Sequence, residues 1–416
     1  MTAAIKSRSL LLFLLASLLL GSCAPNATAA PTATARASRT PIRLGPTSTA
    51  SFTPTQASTL SPTATLAPLP TVGPDEPALG PEDAAVDLLL YLDYDCEPCL
   101  AMARTVDAAQ ERHADRVRLV VRSFPLVRVN EKALLAATAV MSAAEQGVFW
   151  EMHNYLITER SSWRDLPPEE FATWLVQTAP ELGLDQENFQ NDLHSQAMVD
   201  RVRSSYERSL AAGVPGAPFL LIDRQPYLLG PEPTNLEAVL RLSLLESRQY
   251  ESEPPLTIDS QASYTARFTL SRGELVVQLF PGLAPRAVNS FRFLADQGWY
   301  DGTGFHRVVP GRLAEAGDPS LTGLGHAGYH FPLETQPGLR FDQAGRVAFD
   351  NDGPGTNSAR FFITLDQLPA LNSSYTIFGT VTEGLGLIRQ LDARDPIEDI
   401  FEPPELVIES IEVTSP

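Results

Sequence analysis

The sequence predicts two folded domains in series, one mixing strands with helices and one built on antiparallel strands, behind an apolar leader and a Thr/Pro-rich tract. Three observations support this. A chain of 416 residues exceeds one ordinary core. A short apolar run, Val86 to Tyr94, gives way at once to Cys96-Glu97-Pro98-Cys99 and then to the helical pattern of Leu100 to Glu111. Beyond Glu251-Ser252-Glu253-Pro254-Pro255 the texture becomes alternating, with Tyr264 to Phe280 broken at Arg272-Gly273 as a hairpin would be.

At the start, Lys6 and Arg8 precede the apolar run Leu10 to Leu20, which ends in Leu20-Gly21-Ser22-Cys23. That is a signal-peptide layout over residues 1–23, and the run is too short for a permanent membrane helix. Leu-Gly-Ser-Cys resembles the lipobox of bacterial lipoproteins. The resemblance implies lipidation at Cys23, anchorage to the cell membrane and an extracytoplasmic location, with an ordinary secreted leader as the alternative. Residues 24–81, dominated by Thr, Ala, Ser and Pro, bury too little to fold and read as a stalk. As coil, a stretch of that length averages about 40 Å end to end.

Charge and composition narrow the functions. With 50 acidic against 31 basic residues the net charge is −19, which repels nucleic acid. Three cysteines are too few for a disulfide-stapled scaffold, and the six histidines show no metal-ligand spacing with cysteine. His326 and His330 in a Gly-rich stretch read as polar loop residues. No cofactor and no metal are expected.

The dithiol stands where a strand turns into a helix. Amides at a helix N-terminus favour a thiolate at Cys96, while Cys99, one turn in, is shielded; Cys96 is thus the attacking thiol and Cys99 the resolving one. A structural disulfide or half of a zinc site is the competing reading of Cys-x-x-Cys, but the second pair that zinc needs is absent. Asp93-Tyr94 ahead of the pair, Val117 to Pro125, Ala143 to Leu156 and Gly213 to Asp223 together make residues 82–248 resemble the DsbA-like branch of the thioredoxin superfamily. This implies an α/β thioredoxin-like fold with an inserted helical segment and a cis-proline loop. By that match the cis residue is Pro218, with Pro215 the poorer candidate, and the backbone at Ala217 pairs with an extended substrate. The acidic neighbours Asp93, Asp95 and Glu97 oppose a thiolate, so Glu97 is read as a modulator and the couple as less oxidising than strong oxidants.

After a linker at 249–259, residues 260–416 carry Ala284 to Phe291 (APRAVNSF), Phe305 to Pro310 (FHRVVP), Gly317-Asp318, Gly353 to Asn357, Phe361 to Thr364 and Phe378-Gly379. In order and spacing these resemble the cyclophilin family. The resemblance implies a closed antiparallel β-barrel with capping helices and peptidyl-prolyl cis-trans isomerase chemistry. Arg307 falls at the family's catalytic arginine, Phe362 at the pocket aromatic, and Leu313 and Leu371 at apolar lining positions.

The departures from that pattern are Glu315 and Arg360 in place of two glutamines, Ala370 for a tryptophan, Tyr375 for a histidine and Asp350 for a small residue. Glu315 is expected to link Arg307 with Arg360, with Arg312 reaching Asp350, weakening turnover. Three functions follow. One is a folding catalyst acting on folding exported polypeptides and a separate thiol redox partner. The second is a redox lipoprotein whose barrel only binds peptides. The third is a non-catalytic surface scaffold.

Overall fold

The structure, a computed structural model, describes residues 70–73, 76–351, 353 and 355–415. The leader, Cys23 and nearly all of the Thr/Pro-rich tract lie outside the described residues.

The first domain is centred on β2 (Val86–Leu92). It is flanked by β1 (Ala78–Leu79), α1 (Glu97–Arg112) and β3 (Val117–Ser123) in chain order. Because β2 is covered on both faces it reads as an unbroken apolar run rather than an alternation. Leu88, Leu90 and Leu92 enter one core cluster, and Leu89 and Tyr91 the opposite one. β3 runs parallel to β2, with Val86 opposite Val117. The chain then leaves the sheet for helices α2 (Ala133–Glu145), α3 (Phe149–Thr158), α4 (Arg160–Trp163), α5 (Pro168–Thr178), α6 (Gln186–Leu193) and α7 (Gln196–Ala211). Fully buried Trp163, Phe171 and Phe189 hold this insert to the domain core.

The chain returns as β4 (Phe219–Ile222), β5 (Gln225–Tyr227) and α8 (Pro233–Glu246). The sheet order is β1-β3-β2-β4-β5. The β4–β5 turn is made by Asp223 and Arg224, both at positive φ, and the Asp223 side chain accepts the Asp87 amide at 2.8 Å.

Residues after α8 lie against the second domain. Arg248 Nη2 donates to the carbonyls of Gly298 and Trp299, the Tyr250 amide donates to Ala327, Glu253 pairs with Arg286, and Asn289 accepts the Thr257 amide.

That domain comprises β6 (Tyr264–Leu270), β7 (Gly273–Leu279), α9 (Pro285–Asp296), β8 (Thr303–Gly304), β9 (Arg307–Val309), β10 (Leu313–Ala316), β11 (Phe331–Pro332), β12 (Arg346–Asn351), β13 (Thr356–Thr364), β14 (Ile377–Glu383), α10 (Leu385–Ile388) and β15 (Val407–Thr414). The expected hairpin is present: β6 and β7 pair from Tyr264–Leu279 to Leu270–Gly273, and alternate residues Tyr264, Ala266, Phe268 and Leu270 point into the core. Phe268, Phe291, Tyr300, Phe361 and Phe378 pack there, with α9 supplying Phe291.

The expected closed barrel is corrected here. The strand path runs β8-β15-β6-β7-β14-β12-β13-β10-β9, with β11 on β13, and no pairing among the described residues joins β8 to β9. These two end strands are short and separated only by Phe305-His306, so the sheet curls round and stays open at that seam.

Candidate active sites

Cys96 ends the loop after β2 in extended conformation and caps α1, its sulfur accepting the Cys99 amide at 3.3 Å. Pro98 sits in the first helical turn, where no intrahelical donor is needed. The pair is bridged as a disulfide, with Cys99 fully buried and Cys96 partly exposed. The Ala217–Pro218 bond is cis, and Pro215 is exposed in the same loop. Since Phe219 pairs with Tyr91, that loop lies at the end of the sheet from which the dithiol emerges, and Ala217 and Cys96 pack on one core cluster.

The acidic surroundings are less acidic than the sequence suggests. Asp93 is buried and accepts the amides of Asp95 (2.8 Å) and Leu126 (2.9 Å) and the side chain of Asn130 (2.7 Å); burial holds its carboxyl above the usual range against those bonds. Asp95 pairs with Arg160 at 3.1 Å and Lys132 at 3.8 Å, both supplied by the helical insert or the loop entering it. Glu97 is the exposed acid, 4.0 Å from Arg104. Opposition to a Cys96 thiolate therefore comes chiefly from Glu97.

A neighbouring feature escaped the sequence reading. Tyr94 Oη bonds His153 Nδ1 at 2.8 Å, and His153 Nε2 lies 3.4 Å from Asp107, forming a chain through the core between the loop, the insert and α1. Its residues stand in three separate segments with no shared motif.

In the second domain the cross-strand register assembles the site. Arg307 on β9 stands opposite Glu315 on β10, Glu315 opposite Phe362 on β13, and Phe362 opposite Ala348 on β12. Arg307 and Phe362 border a cavity of about 510 Å³ together with Leu313, Leu371 and Tyr375. Phe341 stacks on Phe362 at 5.7 Å, and Tyr375 meets it edge-on at 5.2 Å. Ala370, at the tryptophan position, is exposed and absent from the lining. The far rim comes from Asp395-Pro396-Ile397, a turn the sequence gave no reason to place here.

Arg307 Nη1 donates to Glu315 Oε1, as expected, and 47% of the arginine side chain remains exposed at the cavity. Glu315 is nearly buried; desolvation first, then the Asp350 charge, raises its carboxyl above the usual range, while Arg307 pulls it back. The expected bridge from Glu315 to Arg360 is instead a split arrangement. Arg360 takes Asp350 at 3.2 Å and donates to the carbonyls of Gly323 and Asn351, so Glu315 feels Arg360 only through its charge. Arg312 is exposed at the β9–β10 turn. His306 is fully buried, and desolvation lowers it to about 4, so it is neutral and supports structure.

The rings of His326 and His330 lie 5.2 Å apart. Among the described residues no group of three or more His, Cys, Asp or Glu could hold a metal ion, and no helix is long and apolar enough to cross a membrane.

The profile of the family described as "Cyclophilin type peptidyl-prolyl cis-trans isomerase/CLD" matches residues 265–413, and a thioredoxin profile matches residues 73–241. The peptidyl-prolyl cis-trans isomerase-like 1 of Gibberella zeae is 40% identical over 122 residues, 29% of this chain and 75% of that protein. The Homo sapiens protein of the same name is 37% identical over 139 residues, 31% and 84% of the two chains. A probable peptidyl-prolyl cis-trans isomerase A of Mycobacterium leprae is 42% identical over 135 residues, 29% and 74% of the two.

Proposed function

We propose, since the chain belongs to the cyclophilin-type peptidyl-prolyl cis-trans isomerase family and carries a thioredoxin-like domain before it, that it is an extracytoplasmic folding factor. In this reading it turns over Xaa-Pro bonds at Arg307 and exchanges disulfides at Cys96. The observation that carries the isomerase half is Arg307 standing half-exposed beside a cavity whose lining includes the apolar side chains Phe362, Leu313 and Leu371. Prolyl rotation faces an amide-resonance barrier of about 18–20 kcal/mol. A proline ring held against Phe362, Leu313 and Leu371 would set its nitrogen near the guanidinium. Only Nη1 of Arg307 is committed to Glu315, so its remaining N–H groups are available to the nitrogen lone pair freed as the bond twists.

The thiol half is supported by a bridged pair at a helix N-terminus, one sulfur reachable and the other buried, beside a loop with a cis bond at Ala217–Pro218. The attacking thiolate would be Cys96, with Cys99 resolving the mixed disulfide, and Ala217 would offer its backbone to an extended client. The leader sequence supports lipidation at Cys23 and tethering outside the cytoplasm, where both proline isomerisation and disulfide exchange are slow steps of folding. The partners are then folding exported polypeptides and a separate thiol redox protein.

An exchange-spectroscopy assay on an Ala-Pro peptide tests the isomerase reading: the wild type accelerates exchange and Arg307→Ala abolishes the acceleration. No acceleration by the wild type defeats it. The Arg307–Glu315 pairing favours one second reading, a barrel that binds proline segments without turnover, which the same spectra distinguish by peptide shifts without faster exchange.

A further inference from the structure

Three carboxylates, Glu315, Asp350 and Asp395, border the cavity, against the single guanidinium of Arg307. Arg360, the counter-charge to Asp350, is 7% exposed and lies behind the lining rather than in it. Asp395 is held ionised: its Oδ1 accepts the amides of Ile397 (2.9 Å) and Glu398 (3.1 Å), which keep the carboxyl below its usual range. Burial first, and the Asp350 charge after it, raise both the Glu315 carboxyl and the Tyr375 phenol.

The negative groups have a definite place relative to the apolar floor. Ala348 pairs with Phe362, and Asp350 follows where the strand bulges between Phe349 and Asn351, lining the same cavity as Phe362. The residue next to a proline has its Cα about 3.8 Å away, which leaves a lysine or arginine side chain to reach the carboxylates of the lining. An acidic side chain in that position would instead meet Asp395, and Glu315 and Asp350 each beside its own arginine, on a chain of net charge −19.

We propose that this cavity selects Xaa-Pro segments in which a lysine or arginine flanks the proline. The selection rests on the isomerase reading above and adds the charge of the substrate to it. It works by repelling acidic neighbours as much as by attracting basic ones.

The test uses the full chain and three peptides, Ala-Xaa-Pro-Phe with Xaa lysine, alanine or glutamate, followed by NMR exchange spectroscopy without a coupling protease. The expected order is lysine above alanine above glutamate, about fivefold per step at low ionic strength. The spread narrows in high salt, because the opening is solvated. Asp395→Asn, which keeps the Oδ1 acceptor of its turn, compresses the series, and Asp350→Asn does the same if it folds. Equal or reversed rates with working Ala-Pro turnover overturn the charge preference and leave the isomerase reading intact. Absence of turnover on all three defeats the isomerase reading. Peptide titration then decides the preference: tighter lysine-peptide binding upholds it, and equal binding overturns it.

Discussion

Arg307 and Glu315 face each other in antiparallel register across β9 and β10, and the guanidinium donates to a carboxylate that is nearly buried. The pair holds the arginine still and also competes with substrate for it. Replacing Glu315 with glutamine is therefore expected to raise kcat/KM on Ala-Pro peptides by about fivefold. The carboxyl lies above its ordinary value, so the folded protein takes up this proton more readily than the unfolded chain. Its contribution to stability is complete below the unfolded value and is lost as pH rises through the folded one. The wild-type rate should thus climb as pH falls towards that folded value, while Glu315→Gln gives a flat profile over the same range. A wild-type profile parallel to that of the variant would refute the competition.

The opposite sign holds at Glu237. This carboxylate is 1% exposed, accepts Arg112, Arg241 and His113, and is lowered to about 2 from 4.5, with burial opposing the bonds from His113 and Arg241. Its stabilisation is present above the unfolded value and drains away as pH falls from 4.5 to 2, worth about 3 kcal/mol in that window. Glu237→Gln should lower the midpoint of urea unfolding at neutral pH and show a much smaller further loss on acidification. A variant whose acid limb matches the wild type would remove Glu237 from the account.

The two cysteines are expected to separate by role. Cys99→Ser should accumulate mixed disulfides with disulfide-bonded client proteins, the reachable Cys96 thiolate attacking the client disulfide and displacing one client thiol, seen as thiol-sensitive bands on a non-reducing gel. Cys96→Ser leaves only a buried thiol and should trap nothing. Equal trapping by both variants would reverse the assignment.

Charge beside the dithiol offers a finer readout. Glu97→Gln removes an exposed negative charge next to Cys96 and should raise the reduction potential by about 10 mV. Arg160→Gln removes the nearer of the two cations on Asp95, leaving Lys132, and should lower the potential by a similar amount. Glutathione equilibration followed by mass spectrometry measures both, and shifts of the same sign would contradict the electrostatic reading.

Much of this was legible in the residues. The apolar run of β2, the Cys-x-x-C at the head of α1 and the Arg272-Gly273 turn depend on local chemistry, and the structure has each where it was expected. The Arg307–Glu315 pair was legible through the cyclophilin resemblance, in which Glu315 replaces a glutamine that brackets the arginine, and the register of β9 on β10 brings the two together. What stayed hidden depends on distant segments. Arg160 and Lys132 cancelling Asp95, Arg360 choosing Asp350 over Glu315, and the Asp395 turn closing the cavity rim are all decided by packing between parts of the chain with no sequence relation. The open seam was missed for a different reason, since closure depends on one pairing between two of the shortest strands.

The pairing of Asp95 with Arg160, 65 residues downstream of it, means that the electrical setting of the cysteine motif is written partly in the insert. Two relatives with identical Cys-Glu-Pro-Cys motifs need not share a redox poise. Exchanging the helical insert alone would retune this centre, making the insert a handle for engineering it without touching either sulfur.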